Sequence, residues 1–248
     1  MKKNRVVSLD LTTGPYRAFV ERIAELGEQR LSSYVCVANV HMCIEAWQNP
    51  EFAAVVNGAD IATPDGMPLA KSLKLLHGIE QDRVAGMDLM PDLIAEAEER
   101  QLALFFYGST DEVLAKIVER VDREHPGVRI AGAISPPFRE LGEKEEAEMV
   151  EKINSSGANI VLVALGCPKQ ERWMARHKGK INAVMVGVGG AFPVYAGTQG
   201  RAPGWMQKCS LEWLYRLGQE PRRLLKRYFV TNSLFLFLMA WELVRKKG

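Results

Sequence analysis

Short apolar runs recur along the first two hundred residues, each followed by a longer stretch in which apolar side chains return at helical spacing. The runs "VVSL" (6–9), "YVCVA" (34–38), "DIAT" (60–63), "ALFFYG" (103–108), "VRIAGA" (128–133), "NIVLVALG" (159–166) and "AVMVGVG" (183–189) predict strands. The stretches between them predict helices over 14–29, 40–49, 66–76, 88–100, 111–124, 143–156 and 168–178. The strands are apolar throughout rather than alternating, so helices are expected over both faces of the sheet. This βαβα order implies an α/β fold around a mostly parallel sheet. Ligands in such folds bind beyond the carboxyl ends of the strands, which makes the strand-to-helix turns the places to search for chemistry.

The pattern changes near residue 200. No further strand is apparent, and Pro221 divides a first predicted helix (209–219) from a longer one (221–245). Residues 1–200 read as an α/β catalytic core and 201–248 as a helical appendage. Arg216, Arg223 and Arg227 fall near one face of that appendage if its helices run roughly continuously, with Arg222 and Lys226 beside them. Guanidinium groups grip phosphates bidentately, although a solvated charged face is the commoner meaning of such a run. The basic cluster leads into "YFVTNSLFLFLMAWELV" (228–244). As a helix this segment is about 25 Å long, short of the roughly 30 Å of a bilayer core. Asn232, Ser233 and Glu242 weaken a spanning reading further. A helix lying at the membrane interface fits better; a helix packed on the core or on a second subunit is the alternative.

Composition changes this picture little. At 248 residues, 47% hydrophobic and 25% charged, the chain is an ordinary globular protein and not a disordered one. A net charge of +2 is uninformative, and no nucleic-acid partner is expected. Four scattered cysteines, Cys36, Cys43, Cys167 and Cys209, match no metal-ligand or small disulfide pattern, so a reduced, cytoplasmic setting is expected. The start "MKKNRVVSLD" is basic but holds no apolar core of signal-peptide length.

Four turns carry unusual residues. In "VANVHM", Asn39 stands at a strand end, where it suits a helix N-cap, and His41 opens the following helix. In "TPDGMP", Asp65 sits between Pro64 and Gly66. It either caps the next helix or faces a cleft as a general base. In "GCPKQERWMARH", Pro168 suits a first helical turn, whose free N–H groups and Lys169 make an anion site. Gln170 there is placed to hydrogen-bond a phosphate or base, and Glu171 to brace the loop; an amphipathic helix start with a solvated face explains the same residues. In "GVGGAFPVYAG", glycines such as Gly189 allow close approach of a ligand. The dinucleotide fingerprint fails there because Phe192 occupies its last glycine position. No D-x-D pair and no zinc spacing occurs, so no metal or other cofactor is expected.

Taken together, the chain resembles the WecG/TagA/CpsF glycosyltransferase family. The resemblance is carried by "NVHM", "TPDGMPL", "RVAGMDLM" with Arg83, Gly86 and Asp88, "SPPFREL", "LGCPKQERWM", "RAPGWMQ" and "LEWLYRLGQEPRRLLKRYFVTN", in this order. It implies a Rossmann-like fold and an inverting, metal-independent transfer of a sugar from a nucleotide diphosphate sugar. The donor it implies is a UDP-linked N-acetylmannosamine or a related hexose. The implied acceptor is a polyprenyl-diphosphate-linked saccharide at the cytoplasmic face of the bacterial inner membrane, reached peripherally through residues 201–248. Carried over residue by residue, Asp65 resembles the family's candidate base. Gln170 resembles a nucleotide-diphosphate contact, and Asn39 lines the same pocket. Arg216 and Arg223 resemble the appendage arginines that meet diphosphate, with Lys226 or Arg227 as a third. His41, Arg83, Gly86, Asp88, Lys169, Glu171 and Gly189 join them as candidate substrate-binding residues. Two positions depart from the family pattern. Val37 replaces a frequent Thr and cannot donate a hydrogen bond, and Pro193 replaces a frequent Asp after Phe192. A non-catalytic membrane-tethered scaffold, a nucleotide-dependent oxidoreductase and a homo-oligomer remain open readings at this point.

Overall fold

The structure is a computed structural model that describes residues 1–208, 211–219 and 221–247, with the side chains of residues 207, 208, 223, 224, 226, 227 and 247 outside the described set. Two short strands open the chain, β1 (Lys2–Val6) and β2 (Leu9–Thr13), paired antiparallel. The single strand expected at 6–9 is instead the turn of this hairpin, with Val7 at φ 55°. The chain reverses in the middle of that apolar run, between Val6 and Leu9.

Then follow α1 (Tyr16–Glu28), β3 (Ser33–Ala38), α2 (Val40–Gln48), α3 (Pro50–Asn57), β4 (Ile61–Pro64), α4 (Met67–His77) and α5 (Gly86–Glu99). Next come β5 (Ala103–Gly108), α6 (Asp111–Glu124), β6 (Arg129–Ile134), α7 (Glu143–Ser155), β7 (Ile160–Ala164), α8 (Lys169–His177), β8 (Val184–Gly187) and α9 (Ala191–Tyr195). The chain ends in α10 (Gly204–Lys208), α11 (Glu212–Gln219) and α12 (Pro221–Lys247). Helix α3 was not expected: Asn49 ends α2 and at once caps α3, accepting from Phe52 N at 3.0 Å, with Pro50 in the first turn.

Six strands form one parallel sheet in the order β4-β3-β8-β7-β5-β6. Successive side chains point to opposite faces, and each face has its own core. Cys36, Phe105, Tyr107, Val161, Val163 and Met185 meet α2, α4 and α8, with Tyr107 stacked on Trp173 at 4.5 Å. Val35, Leu104, Phe106, Leu162 and Val186 meet α1, α5 and α6 on the other face. This two-sided cover makes the fold α/β and Rossmann-like, as expected.

Helix α12 lies against α2 and α4, and its Phe235, Leu238 and Met239 are buried in the first of these cores. Glu242 accepts a hydrogen bond from Val7 N at 3.2 Å. The opposite side of the helix is apolar too: Phe229, Leu236, Phe237, Trp241 and Val244 are exposed. Among the described residues no helix is long and apolar enough to cross a membrane.

Candidate active site

Because the sheet is parallel, the turns after β3, β4, β7 and β8 emerge along one edge. Asn39, Asp65, Gln170 and Gly189 therefore share that edge. Asn39 caps α2, its Oδ1 accepting from Met42 N at 3.1 Å. His41, in the first turn of α2, lies 3.9 Å from Glu45 across one helical turn.

Asp65 follows the last residue of β4. Its N–H donates to the Ala38 carbonyl at 2.7 Å, which ties it to the end of β3. The N-cap of α4 is Gly66, at φ 98°, and no side chain caps that helix. A glycine accepts this backbone without the clash a Cβ would bring. Asp65 therefore stands one residue before the cap position, on the strand side. Among the described residues its carboxyl accepts no hydrogen bond, and it is pushed up to about 7. Burial is the largest cause, followed by the charge of Glu212; Arg83 and Arg216 pull the other way, and Asp88 adds to the rise.

Those charged groups come from two distant parts of the chain. Thr63 Oγ1 donates to Val84 O and Val84 N to Pro64 O, both at 3.0 Å, which lays the segment before α5 beside the end of β4. Arg83 thereby reaches the site and donates to Asp88 at 2.7 Å from Nη2 and to Glu212 from Nη1. Arg201 also bonds Asp88. Gly86 opens α5 against the Val188 carbonyl, 3.2 Å from where a Cβ would stand. Arg216 of α11 lies over the turn after β8, its Nη2 2.5 Å from the place of a Cβ on Gly190. A side chain at Gly190 would force the guanidinium to shift. The C-terminal segment thus brings Arg201, Glu212 and Arg216 to the edge of the sheet.

Across β8 the pair Gln170 and Glu171 is buried at the start of α8. Gln170 Nε2 donates to Glu171 Oε1 at 2.7 Å, and a Cβ on Gly189 would stand 3.2 Å from Gln170 Oε1. Burial pushes the Glu171 carboxyl up to about 7, against the hydrogen bond from Gln170. Lys169 is exposed beside them. Phe192 is fully buried against Phe106, edge to face at 5.9 Å, and anchors the glycine turn. The side chains of Arg223, Lys226 and Arg227 lie outside the described residues.

Residues 5–248 match the Glycosyl transferase WecG/TagA/CpsF family. The chain belongs to that family. It is 35% identical over 225 residues to the N-acetylglucosaminyldiphosphoundecaprenol N-acetyl-beta-D-mannosaminyltransferase of Bacillus spizizenii, covering 90% of this chain and 86% of that relative. A protein of the same name from Bacillus subtilis is 28% identical over 197 residues, 79% of this chain and 75% of the relative. The protein is a glycosyltransferase of the WecG/TagA/CpsF family.

Within this family member, sequence reasoning singled out Asp65, Arg83, Asp88 and Arg216, which the fold brings together. It passed over Glu212 and Arg201, although both lie in the segments that carry the resemblance. The legible signal for Glu212 was an acidic residue in the first turn of a strongly amphipathic helix. That pattern says where a carboxylate is stable, not what it will meet.

Proposed function

We propose that the protein is an inverting transferase that moves an N-acetylmannosamine-type sugar from a UDP-sugar to a polyprenyl-diphosphate-linked saccharide, with Asp65 as general base, in cell-surface polysaccharide synthesis. The relatives' names describe a mannosaminyl transfer to an N-acetylglucosaminyl diphosphoundecaprenol, and residues 5–248 share their family. One observation carries the base role: the Asp65 carboxyl stands one residue before the cap of its own helix, at the strand edge, and is poised near neutrality. A base works best when its affinity for protons lies near the operating pH.

In this reading the acceptor hydroxyl oxygen attacks the anomeric carbon from the face opposite the leaving group. Its proton passes to Asp65 as the bond from that carbon to the phosphate oxygen breaks. The leaving diphosphate gains negative charge, which the guanidinium groups of Arg216 and Arg83 offset. Lys169 and the N-terminus of α8 add to the positive field. Side-chain cations in these positions do the work that a metal would do elsewhere, so the transfer is read as metal-independent. The exposed apolar side of α12 is read as resting on the cytoplasmic face of the bacterial membrane, peripherally.

The experiment is direct. Full-length protein is given a panel of nucleotide sugars and a short-chain polyprenyl-diphosphate N-acetylglucosamine, and the product's anomeric configuration is read by NMR. Transfer from a UDP-N-acetylmannosamine-type donor with inversion is expected. Neither transfer nor hydrolysis with any donor, or retention of configuration, would overturn the reading.

A further inference from the structure

Among the described residues, Arg83 is held by two carboxylates of unequal standing. Asp88 sits in the first turn of α5, a position that favours negative charge, on a helix whose Leu89, Met90, Leu93 and Ile94 are buried. Arg201 binds it from a second side. Glu212 sits in the first turn of α11, eight residues of which none is buried. Helix α11 packs mainly on α10 and α12. Withdrawing Asp88 would dislodge a core helix, whereas withdrawing Glu212 disturbs little packing.

The contact is nevertheless well sheltered: the side chains of Arg83 and Glu212 are 14% and 19% exposed. Among the described residues, Asp65, Asp88 and Glu212 face Arg83, Arg201 and Arg216. Taking one carboxylate away from a guanidinium at such a place would be costly. A carboxylate on a guanidinium fork also presents oxygens just as a phosphate does. We propose that Glu212 is an internal stand-in for the donor's diphosphate: it occupies Arg83 while the site is empty, keeps α11 and Arg216 over Asp65, and yields that guanidinium when the donor binds.

This rests on the site being one for a nucleotide diphosphate. Glu212 is then a positioning residue, acting through Arg83, and it sets donor affinity by competing with the donor. A Gln in its place keeps a neutral hydrogen-bond acceptor for Arg83 and removes the competing charge.

The test is calorimetric titration of UDP and of inorganic pyrophosphate into full-length wild type and Glu212→Gln, with thermal melting to confirm that both are folded. The variant is expected to bind both probes roughly threefold to tenfold more tightly, the range that losing one competing ion pair allows. A merely structural Glu212 predicts the opposite sign, because loosening α11 would weaken both. Equal or weaker binding by the variant overturns the stand-in. Pyrophosphate separates this from the parent reading: tighter pyrophosphate binding with no UDP binding by either protein keeps the role of Glu212 and removes the nucleotide. A second readout is the acid limb of kcat/KM, which reports the free enzyme. With Glu212 neutral, Asp65 loses a neighbour that opposes its ionisation, and the limb moves to lower pH; an unmoved limb counts against the proposal.

Discussion

The amide of Asp65 donates to the carbonyl of Ala38 at 2.7 Å, so the residue that leaves β4 is pinned to the end of its neighbour β3. The backbone that carries the proposed base is therefore as fixed as the sheet itself. Asp65→Asn keeps this backbone bond and the side chain's shape. It is expected to lower kcat by about 10²–10⁴-fold, the usual worth of a general base, with UDP binding retained. Steady-state rates and calorimetry on one preparation check both halves; near-normal turnover removes the base role.

The pH profile follows from the same group. Burial and Glu212 hold the proton on Asp65 up to about 7, so kcat/KM is expected to fall with unit slope as pH drops below that value. A limb near 4, the ordinary carboxylate range, would show that a different group is the base.

Stability carries the opposite sign. In the unfolded chain Asp65 is an ordinary carboxyl, so its raised folded value favours the native state at low pH. That contribution is lost as pH rises from about 4 to about 7. Asp65→Asn should thus raise Tm at pH 8, by about 3 °C for each kcal/mol relieved in a chain of this size, and leave it unchanged at pH 4. Melting curves at the two pH values decide it.

The six strands of the main sheet, their parallel direction and the edge where the site lies were legible, because runs such as "ALFFYG" can be apolar throughout only if both faces are covered. The hairpin was not. Val7 adopts φ 55°, a conformation a β-branched residue rarely takes, so no turn residue announced the reversal. Helix α3 was announced, by Asn49 and Pro50, and the single residue shared between two helices hid it. Asp65 and Arg216 could be named from motifs. The bond from Arg83 to Glu212 spans 129 residues and depends on how α11 lands on the sheet edge, which no local pattern encodes.

The two sides of α12 predict separable losses. On the inner side, Phe235→Ala should cost about 3–5 kcal/mol, as large-to-small changes in cores do, measured by chemical denaturation. On the outer side, Phe229→Ser, Phe237→Ser and Trp241→Ser together should leave that stability intact and abolish flotation with anionic liposomes. Unchanged flotation would remove the membrane role proposed for this face.

Metal independence has its own measurement. Turnover in excess EDTA should equal turnover with added Mg²⁺ or Mn²⁺, since guanidinium groups supply the positive charge. Loss of activity in the chelator, restored by one cation, would overturn it.

The two layers on either side of the sheet also differ in when they can be finished. Among the described residues, the layer built on α1, α5 and α6 takes its last buried side chain from Tyr195, whereas the other waits for Phe235, Leu238 and Met239. On the ribosome, then, one face can close while the opposite face still lacks its outermost helix. Until α12 has been made, the nascent protein carries an oily groove over α2 and α4, and that interval is when chaperones have most reason to hold it.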